Sequence, residues 1–380
     1  RLTSDLSEVT WATFLGGSAA DASHTVKLDS QGDVYVGGGT TSVDFPTFAS
    51  AYQPNHAGWV DGWIAKLKQD GSALEKATFT GTVGFNQVYF IDLDQDNNVY
   101  VYGQTTGTFP VTTGVYSNAN SGQFLQKFDP DLTTLAYSTV FGAGRGIPDI
   151  SPTAFLVNDC NNIYMSGWGG AINRSRGFWN SGTIGMPVTF DAYQQETAGS
   201  DFYFIVLTSD ASELLYATFL GGKQSPTHVD GGTSRFDKGG IVYHSVCGGC
   251  GGGFDDFPTT PGAWSQLNRS VNCNNAAFKF DLSSLKARIQ TNSIDLDMPG
   301  LNRVCLPDPI VFQNLSTGGQ FYEWDFGDGG QLVRQDTSYV MHAYASPGTY
   351  RIKLLVIDAG TCVGKDSTFT TVTVSKPGGF

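Results

Sequence analysis

Charged residues are scarce in this chain. Only 15% of its 380 residues are Asp, Glu, Lys or Arg, which leaves few of the Glu–Lys pairs that support exposed helices. Its 48 glycines act in the same direction, because each Gly inside a helix costs about 1 kcal/mol relative to Ala. A mainly helical fold is therefore disfavoured. No apolar run approaches the ~20 residues that a membrane-spanning helix requires, and no secretory leader pattern stands at Arg1-Leu2-Thr3-Ser4-Asp5. Basic residues are outnumbered, 22 against 35 acidic, for a net charge of −13. That balance argues against nucleic-acid partners, whose phosphates are held by clustered Lys and Arg. The five histidines show no HExxH or other ligand spacing.

What is present is 40% hydrophobic residues, with aromatics making up 13% of the chain, enough to exclude general disorder. With abundant Gly, this suits many short strands joined by tight turns. Three motifs recur in order. The first reads WATFLGG at Trp11–Gly17, KATFTGT at Lys76–Thr82, YSTVFGA at Tyr137–Ala143 and YATFLGG at Tyr216–Gly222. The second reads DSQGDVYVGG from Asp29, DQDNNVYVYG from Asp94, NDCNNIYMSG from Asn158 and DKGGIVYHSV from Asp237, with Tyr six positions on in every copy. The third pairs a Pro with an aromatic six residues later, at Pro46/Tyr52, Pro110/Tyr116, Pro187/Tyr193 and Pro258/Trp264.

Each motif has a mechanical reading. VYVGG alternates between faces, as a strand with one buried side does. The Asp-x-x-Gly/Asn before it supplies turn formers for a hairpin. The step at Phe45-Pro46, Phe109-Pro110, Met186-Pro187 and Phe257-Pro258 marks a loop with an apolar plug. Closing strands are expected at Trp63–Leu67, Phe124–Phe128, Tyr203–Leu207 and Ala276–Phe280. Four strands in about sixty residues, repeated, is the pattern of propeller blades. The repeats are placed at 11–75, 76–136, 137–215 and 216–287. Leu2 through Gly17 tracks Leu207 through Gly222 almost residue for residue, so the first residues read as the end of a further, upstream repeat.

These units resemble the SBBP-type β-propeller repeat over roughly Leu2–Ala287. The resemblance implies a secreted or surface protein of Bacteroidota-type bacteria, where such repeats accompany PKD domains, gliding motility and type IX secretion. The C-terminal part, 304–380, resembles the polycystic-kidney-disease (PKD) domain. Tyr322-Glu323-Trp324-Asp325-Phe326-Gly327-Asp328-Gly329 is followed by His342-Ala343-Tyr344 and Pro347-Gly348-Thr349-Tyr350. The resemblance implies an Ig-like β-sandwich in which Asp325 and Asp328 brace a turn. Pro347-Gly348 suits a type II turn with Gly at positive φ. Residues 288–303 read as the linker. The fold class is thus all-β, a propeller portion followed by a PKD sandwich.

Six cysteines are compatible with an oxidising compartment. Cys305 and Cys362 suit a disulfide across the small sandwich. Cys160, Cys247, Cys250 and Cys273 suit two disulfides around the CGGCGGG stretch, with zinc or redox chemistry as the alternatives. Asp92, Asp94 and Asp96 resemble half a calcium loop, although the full EF-hand pattern is missing and a hairpin turn accounts for them. No other cofactor is expected. Repeat 3 carries an insertion, Gly169–Gly185, with Arg174, Arg176, Phe178 and Trp179. Insertions in repeat proteins emerge on one rim, and Arg and Trp are enriched at binding hot spots. His228 to Gly232 with Arg235 forms a polar cluster that lacks a nucleophile with an obvious partner. The functional expectation is a non-catalytic extracellular or cell-surface adhesion or scaffolding segment that binds protein or glycan through this rim. A carbohydrate-binding or polysaccharide-degrading protein, and a docking subunit of a secretion or gliding machinery, are the alternatives.

Overall fold

In each repeat the Tyr-bearing motif becomes a central strand. In sheet I, Asp21–Leu28 (β1), Val34–Thr40 (β2), Asp61–Leu67 (β3) and Leu74–Thr80 (β4) pair antiparallel in sequence order. Sheet II repeats the order with Asn86–Leu93 (β5), Val99–Thr105 (β6), Gln123–Phe128 (β7) and Leu135–Phe141 (β8). Sheet III does so with Ile150–Val157 (β9), Ile163–Gly169 (β10), Phe202–Leu207 (β11) and Leu214–Leu220 (β12), and a short helix, Ala171–Ser175 (α1), follows β10. Sheet IV holds Arg235–Phe236 (β13), Ile241–Gly248 (β14) and Asn274–Asp281 (β15). This computed structural model describes every residue except 230–234, 238–239, 282–284, 360, 362 and 379–380.

Pairing moves the repeat boundaries. The ATF segment closes a sheet rather than opening the next one: Phe79 of β4 lies opposite Trp63 of β3, and β8 and β12 pair likewise with β7 and β11. The sheets therefore occupy 21–80, 86–141, 150–220 and 235–281. The first copy, Trp11–Gly17, forms no strand, and Phe14 is fully exposed.

The Gly of VYVGG has a specific cause. The first strand of each of sheets I to III carries a register shift, between Ser23 and Thr25 in β1 and between Val88 and Phe90 in β5, and at Ser166/Gly167 where β10 meets β9. Each bulge pushes a carbonyl toward the neighbouring strand. A Cβ at Gly38 would stand 1.8 Å from the Ala22 carbonyl oxygen, and one at Gly103 2.3 Å from that of Gln87. Sheet IV has Val246 at this position, and among the described residues its first strand pairs at Arg235 and Phe236.

Apolar faces join successive sheets. Tyr35 and Ile64 of sheet I are buried with Val88, Ile91, Val99 and Val101 of sheet II. Tyr102 and Leu125 of sheet II are buried with Phe155, Val157 and Met165 of sheet III. Phe45, Phe109 and Met186 before the loop prolines are buried, and Phe109 stacks on Phe124 with centroids 4.2 Å apart.

The second unit runs from Leu282 to Phe380. Ile289–Asn292 (β16), Ile310–Asn314 (β18) and Val340–His342 (β21) form one sheet, in the order β16-β18-β21. Arg303–Cys305 (β17), Phe321–Asp325 (β19), Gln331–Arg334 (β20), Gly348–Ile357 (β22) and Lys365–Ser375 (β23) form the other, in the order β17-β23-β22-β19-β20. Trp324, Phe312, Ile352, Leu354 and Val372 share its core. The linker reading of 288–303 is corrected here. Leu285 and Ala287 are buried in this core, and β16 pairs with β18. Gly348 does not take positive φ; it is the first residue of β22, opposite Val374.

Candidate binding rim

The insertion after β10 is built around Asn173. Its buried side chain accepts from Gln104 Nε2 at 3.2 Å and donates to the Pro148 carbonyl at 3.4 Å, tying α1 to the ends of sheets II and III. Arg174 turns inward, donating to the Ser181 carbonyl at 2.7 Å, so it braces the loop. Arg176 reaches back to β5, where it donates to the Tyr89 hydroxyl at 2.7 Å. Phe178 packs on Phe85 with centroids 5.8 Å apart, and Phe85 packs on Trp59 at 6.3 Å. Trp179, next in the chain, is 76% exposed, and Trp59 is 69% exposed.

The four residues singled out in the insertion thus divide. Arg176, Phe178 and Trp179 face outward with residues from other repeats, while Arg174 supports them. Trp59 and Phe85 belong to this row but sit before β3 and β5, where no motif distinguishes them. Their common rim follows from the parallel bridge between Val60 and Phe85. A cavity of about 220 Å³ opens beside Phe85, lined by Asp21, Ala22, Gly39, Val60 and Gln87 among others.

Polar groups flank the row. His24 stacks on Tyr89 at 5.1 Å and meets the Gln87 side chain. Loss of water contact, and then the positive charge of Arg176, hold the His24 imidazole below its usual range. Burial raises the Tyr89 phenol, against the pull of Arg176. No carboxylate pairs with Arg174 or Arg176 among the described residues. Such a guanidinium, beside exposed rings, suits a planar or anionic ligand group.

The other candidates are used structurally. Asp94 accepts from Asn98, Tyr100 and the Asp96 N–H and pairs with Lys127 at 3.1 Å. Asp92 pairs with Lys27 at 3.0 Å and accepts the Val157 N–H. Asp92 and Asp94 thus each have a lysine partner, and among the described residues no three His, Cys, Asp or Glu side chains group together. In the second unit, Asp325 and Asp328 accept the N–H groups of Gly327 and Gly330, each at 2.9 Å. Burial between Phe202 and Phe278 pushes His244 down to about 4. Of the polar cluster near His228, residues 230–232 lie outside the described residues.

Cys250 and Cys273 form a disulfide across the Gly-rich loop. Cys160 is itself disulfide-bonded, but its partner is not Cys247, so a second bridge among these four cysteines does not form. Cys160 lies in the turn before β10, beyond Tyr164. Cys247 is bridged to His228, which packs on Trp168 at the other end of β10. The Cys305–Cys362 pairing is also not found. Cys305 is a free thiol on β17, opposite Ser375 at the last residue of β23. Cys362 itself lies outside the described residues.

A stretch of 41 residues, 11% of this chain, is 49% identical to human polycystin-1 (Homo sapiens), of which it spans 1%. The chain therefore covers only a sliver of that relative's length. Among solved structures, the extracellular domain of a hybrid two-component system from B. thetaiotaomicron is 10% identical at a TM-score of 0.30, covering 93% of this chain and 44% of that one. A polysaccharide lyase, PL25 ulvan lyase, is 10% identical at 0.32, covering 92% and 78%. Likenesses this loose transfer neither fold nor function. The specific match is in the second unit: residues 309–374 fit the family model of the PKD domain, and they form its Ig-like sandwich.

Proposed function

We propose that the chain is a non-catalytic binding segment of a secreted or cell-surface protein, with SBBP-type propeller repeats that hold a glycan at the rim shared by sheets I to III. The resemblance to such repeats, beside a PKD domain, supports a surface protein of Bacteroidota-type bacteria, and the Cys250–Cys273 disulfide fits an extracellular setting. One observation carries the reading: Trp59, Phe85 and Phe178 form a continuous row of rings, flanked by exposed Trp179 and by Arg176. Sugar rings offer flat C–H faces that aromatic side chains cover, while hydroxyl and carboxylate groups suit Arg, Gln and His.

Affinity electrophoresis in gels containing hyaluronan, chondroitin sulfate or dextran tests this. Retardation by one of the anionic polymers, lost in Trp179→Ala and weakened in Arg176→Gln, is expected. Both positions are exposed, so the variants keep the fold. Unchanged mobility in every gel would reject a glycan ligand. Release of reducing ends from a retarding polymer would convert the reading to a degradative enzyme. Copurification with an outer-membrane protein at fixed stoichiometry would favour a docking role in secretion or gliding.

A further inference from the structure

The interfaces between successive sheets differ at one register position. The fourth residue after the strand Tyr is Gln104 in sheet II and Trp168 in sheet III. Gln104 is buried, and its amide donates to the Ile150 carbonyl at 2.7 Å and to Asn173 at 3.2 Å, filling the space toward sheet III. Trp168 is buried with Val229 and Val246 and fills the space toward sheet IV. Sheet I has Gly39 there, and the residue opposite it on β1 is Ala22. Opposed residues of an antiparallel pair project from the same face, and a Cβ on Gly39 would lie 3.1 Å from Gln87 Cγ of sheet II. Two small residues therefore leave a gap on the side of sheet I that faces sheet II. The cavity of about 220 Å³ beside Phe85 is that gap.

Its walls restrict what it can hold. Ala20, Ala22, Gly39, Val60 and Phe85 present methyl groups, bare backbone and a ring, while Gln87 and Thr41 supply a polar edge. The Asp21 carboxylate also lines the cavity, and its charge disfavours a second anion there. Gln87 accepts from the Tyr89 hydroxyl at 3.3 Å, and that hydroxyl accepts from Arg176. The cavity is thus joined through two side chains to the guanidinium, where an anion is favoured. It also shares Phe85 with the row of rings.

We propose that this cavity is a subsite for the acetamido group of an N-acetylhexosamine, in a glycan whose uronate lies at Arg176. The inference rests on the glycan reading of the rim and names its substrate class. An acetamido group matches every wall. Its methyl covers Ala22 and Val60, its amide exchanges hydrogen bonds with Gln87 and Thr41, and it brings no charge to oppose Asp21. A sulfate or carboxylate fails the last condition, and a bare hydroxyl leaves the apolar walls uncovered.

Affinity electrophoresis with hyaluronan, whose repeat carries a uronate and an N-acetylhexosamine, and with polygalacturonate, which carries uronate alone, tests the subsite. Hyaluronan should bind roughly tenfold tighter, as one buried methyl and one hydrogen bond supply. Ala22→Leu and Ala20→Leu, both at exposed positions, fill the cavity, and each should erase the difference between the polymers. Arg176→Gln should instead weaken both and keep their ratio. Equal retardation of the unaltered chain by the two polymers, or a preference that survives both Leu variants, would overturn the acetamido subsite and leave the glycan rim standing. Retardation by neither polymer would reject the rim reading and the subsite with it.

Discussion

Lys127 Nζ lies 3.1 Å from Asp94 Oδ2 and 4.6 Å from the centre of the Tyr100 ring. The arrangement recurs in sheet I, where Lys66 lies 3.0 Å from Asp29 and 5.3 Å from the Tyr35 ring. In sheet IV Lys279 stands over Tyr243 at 5.5 Å. Sheet III has Val206 opposite Tyr164 in place of the lysine, and Asn158 in place of the aspartate. Charge is lost from both positions together. A carboxylate left behind without its lysine would sit in a mostly desolvated turn, and the paired replacement avoids that cost.

Lys127→Val should therefore destabilise the first unit by about 2 kcal/mol, between the values for exposed and buried pairs. Adding Asp94→Asn should recover most of the loss, since it copies sheet III. Urea midpoints of the two single variants and the double variant form the cycle. Additive losses would show that the pair does not interact.

The same carboxylate dictates a pH response. Burial raises the Asp94 pKa, but hydrogen bonds from Asn98 and Lys127 outweigh it and hold the carboxyl below its ordinary 3.8. Its contribution is complete above the unfolded value and is lost as pH falls through the folded one. Stability should thus fall below about pH 4, and less steeply in Asp94→Asn/Lys127→Val.

Asp201 has the opposite sign. It is fully buried and accepts from the Thr197 hydroxyl at 2.6 Å, the Ala198 N–H at 2.7 Å and the Thr227 hydroxyl at 3.3 Å. Burial raises its pKa despite these bonds. A raised folded value means that stability is greatest with the acid protonated and declines as pH rises from 3.8 through the folded pKa. Asn can keep all three contacts, its oxygen accepting from Thr197 and Ala198 and its amide donating to Thr227. Asp201→Asn should raise stability at pH 7 by roughly 1 kcal/mol and have little effect at pH 3. A lower melting temperature at pH 7 would show that the charged form is required.

The Cys250–Cys273 bridge spans a sequence separation of 23 and encloses a loop rich in glycine. Closing a loop of this length restricts the unfolded chain by about 3 kcal/mol. Cys250→Ala/Cys273→Ala should lower the urea midpoint accordingly and open the loop to proteolysis. An unchanged midpoint would show that the loop is held by its hydrogen bonds, such as those of Asn268 to Phe254 and Asn272.

The elements most legible in the sequence were those whose cause is local. The Tyr-bearing strands and the buried residues before Pro46, Pro110 and Pro187 alternate or punctuate in ways that short-range rules capture. Strand partnership was less legible, because a two-residue periodicity says which face a strand buries but not which edge it offers. That is why the ATF segments move to the preceding sheet and why Ile289–Asn292, too short to show alternation, was read as a linker. The rim was half visible. Arg176, Phe178 and Trp179 stood out as an insertion, but Phe85 and Trp59 reach them only through the stacking of successive sheets.

Gly103 tests how far the bulge governs this architecture. A Cβ there would lie 2.3 Å from the Gln87 carbonyl oxygen and 2.4 Å from the Phe124 ring, both on neighbouring strands. Phe124 is fully buried beneath Phe109, so it has no room to yield, and the carbonyl is fixed by the bulge between Val88 and Phe90. Gly103→Ala should therefore cost about 2 kcal/mol or more through overpacking, although Ala is otherwise the better-tolerated residue in a strand. Val246 occupies the equivalent position of sheet IV, where among the described residues the first strand pairs at Arg235 and Phe236. Val246→Gly should then destabilise that sheet by removing a buried side chain. The two substitutions run in opposite chemical directions at one register position. If both lower the urea midpoint, the bulged first strand is what demands glycine; if Gly103→Ala is neutral, the bulge is not the constraint.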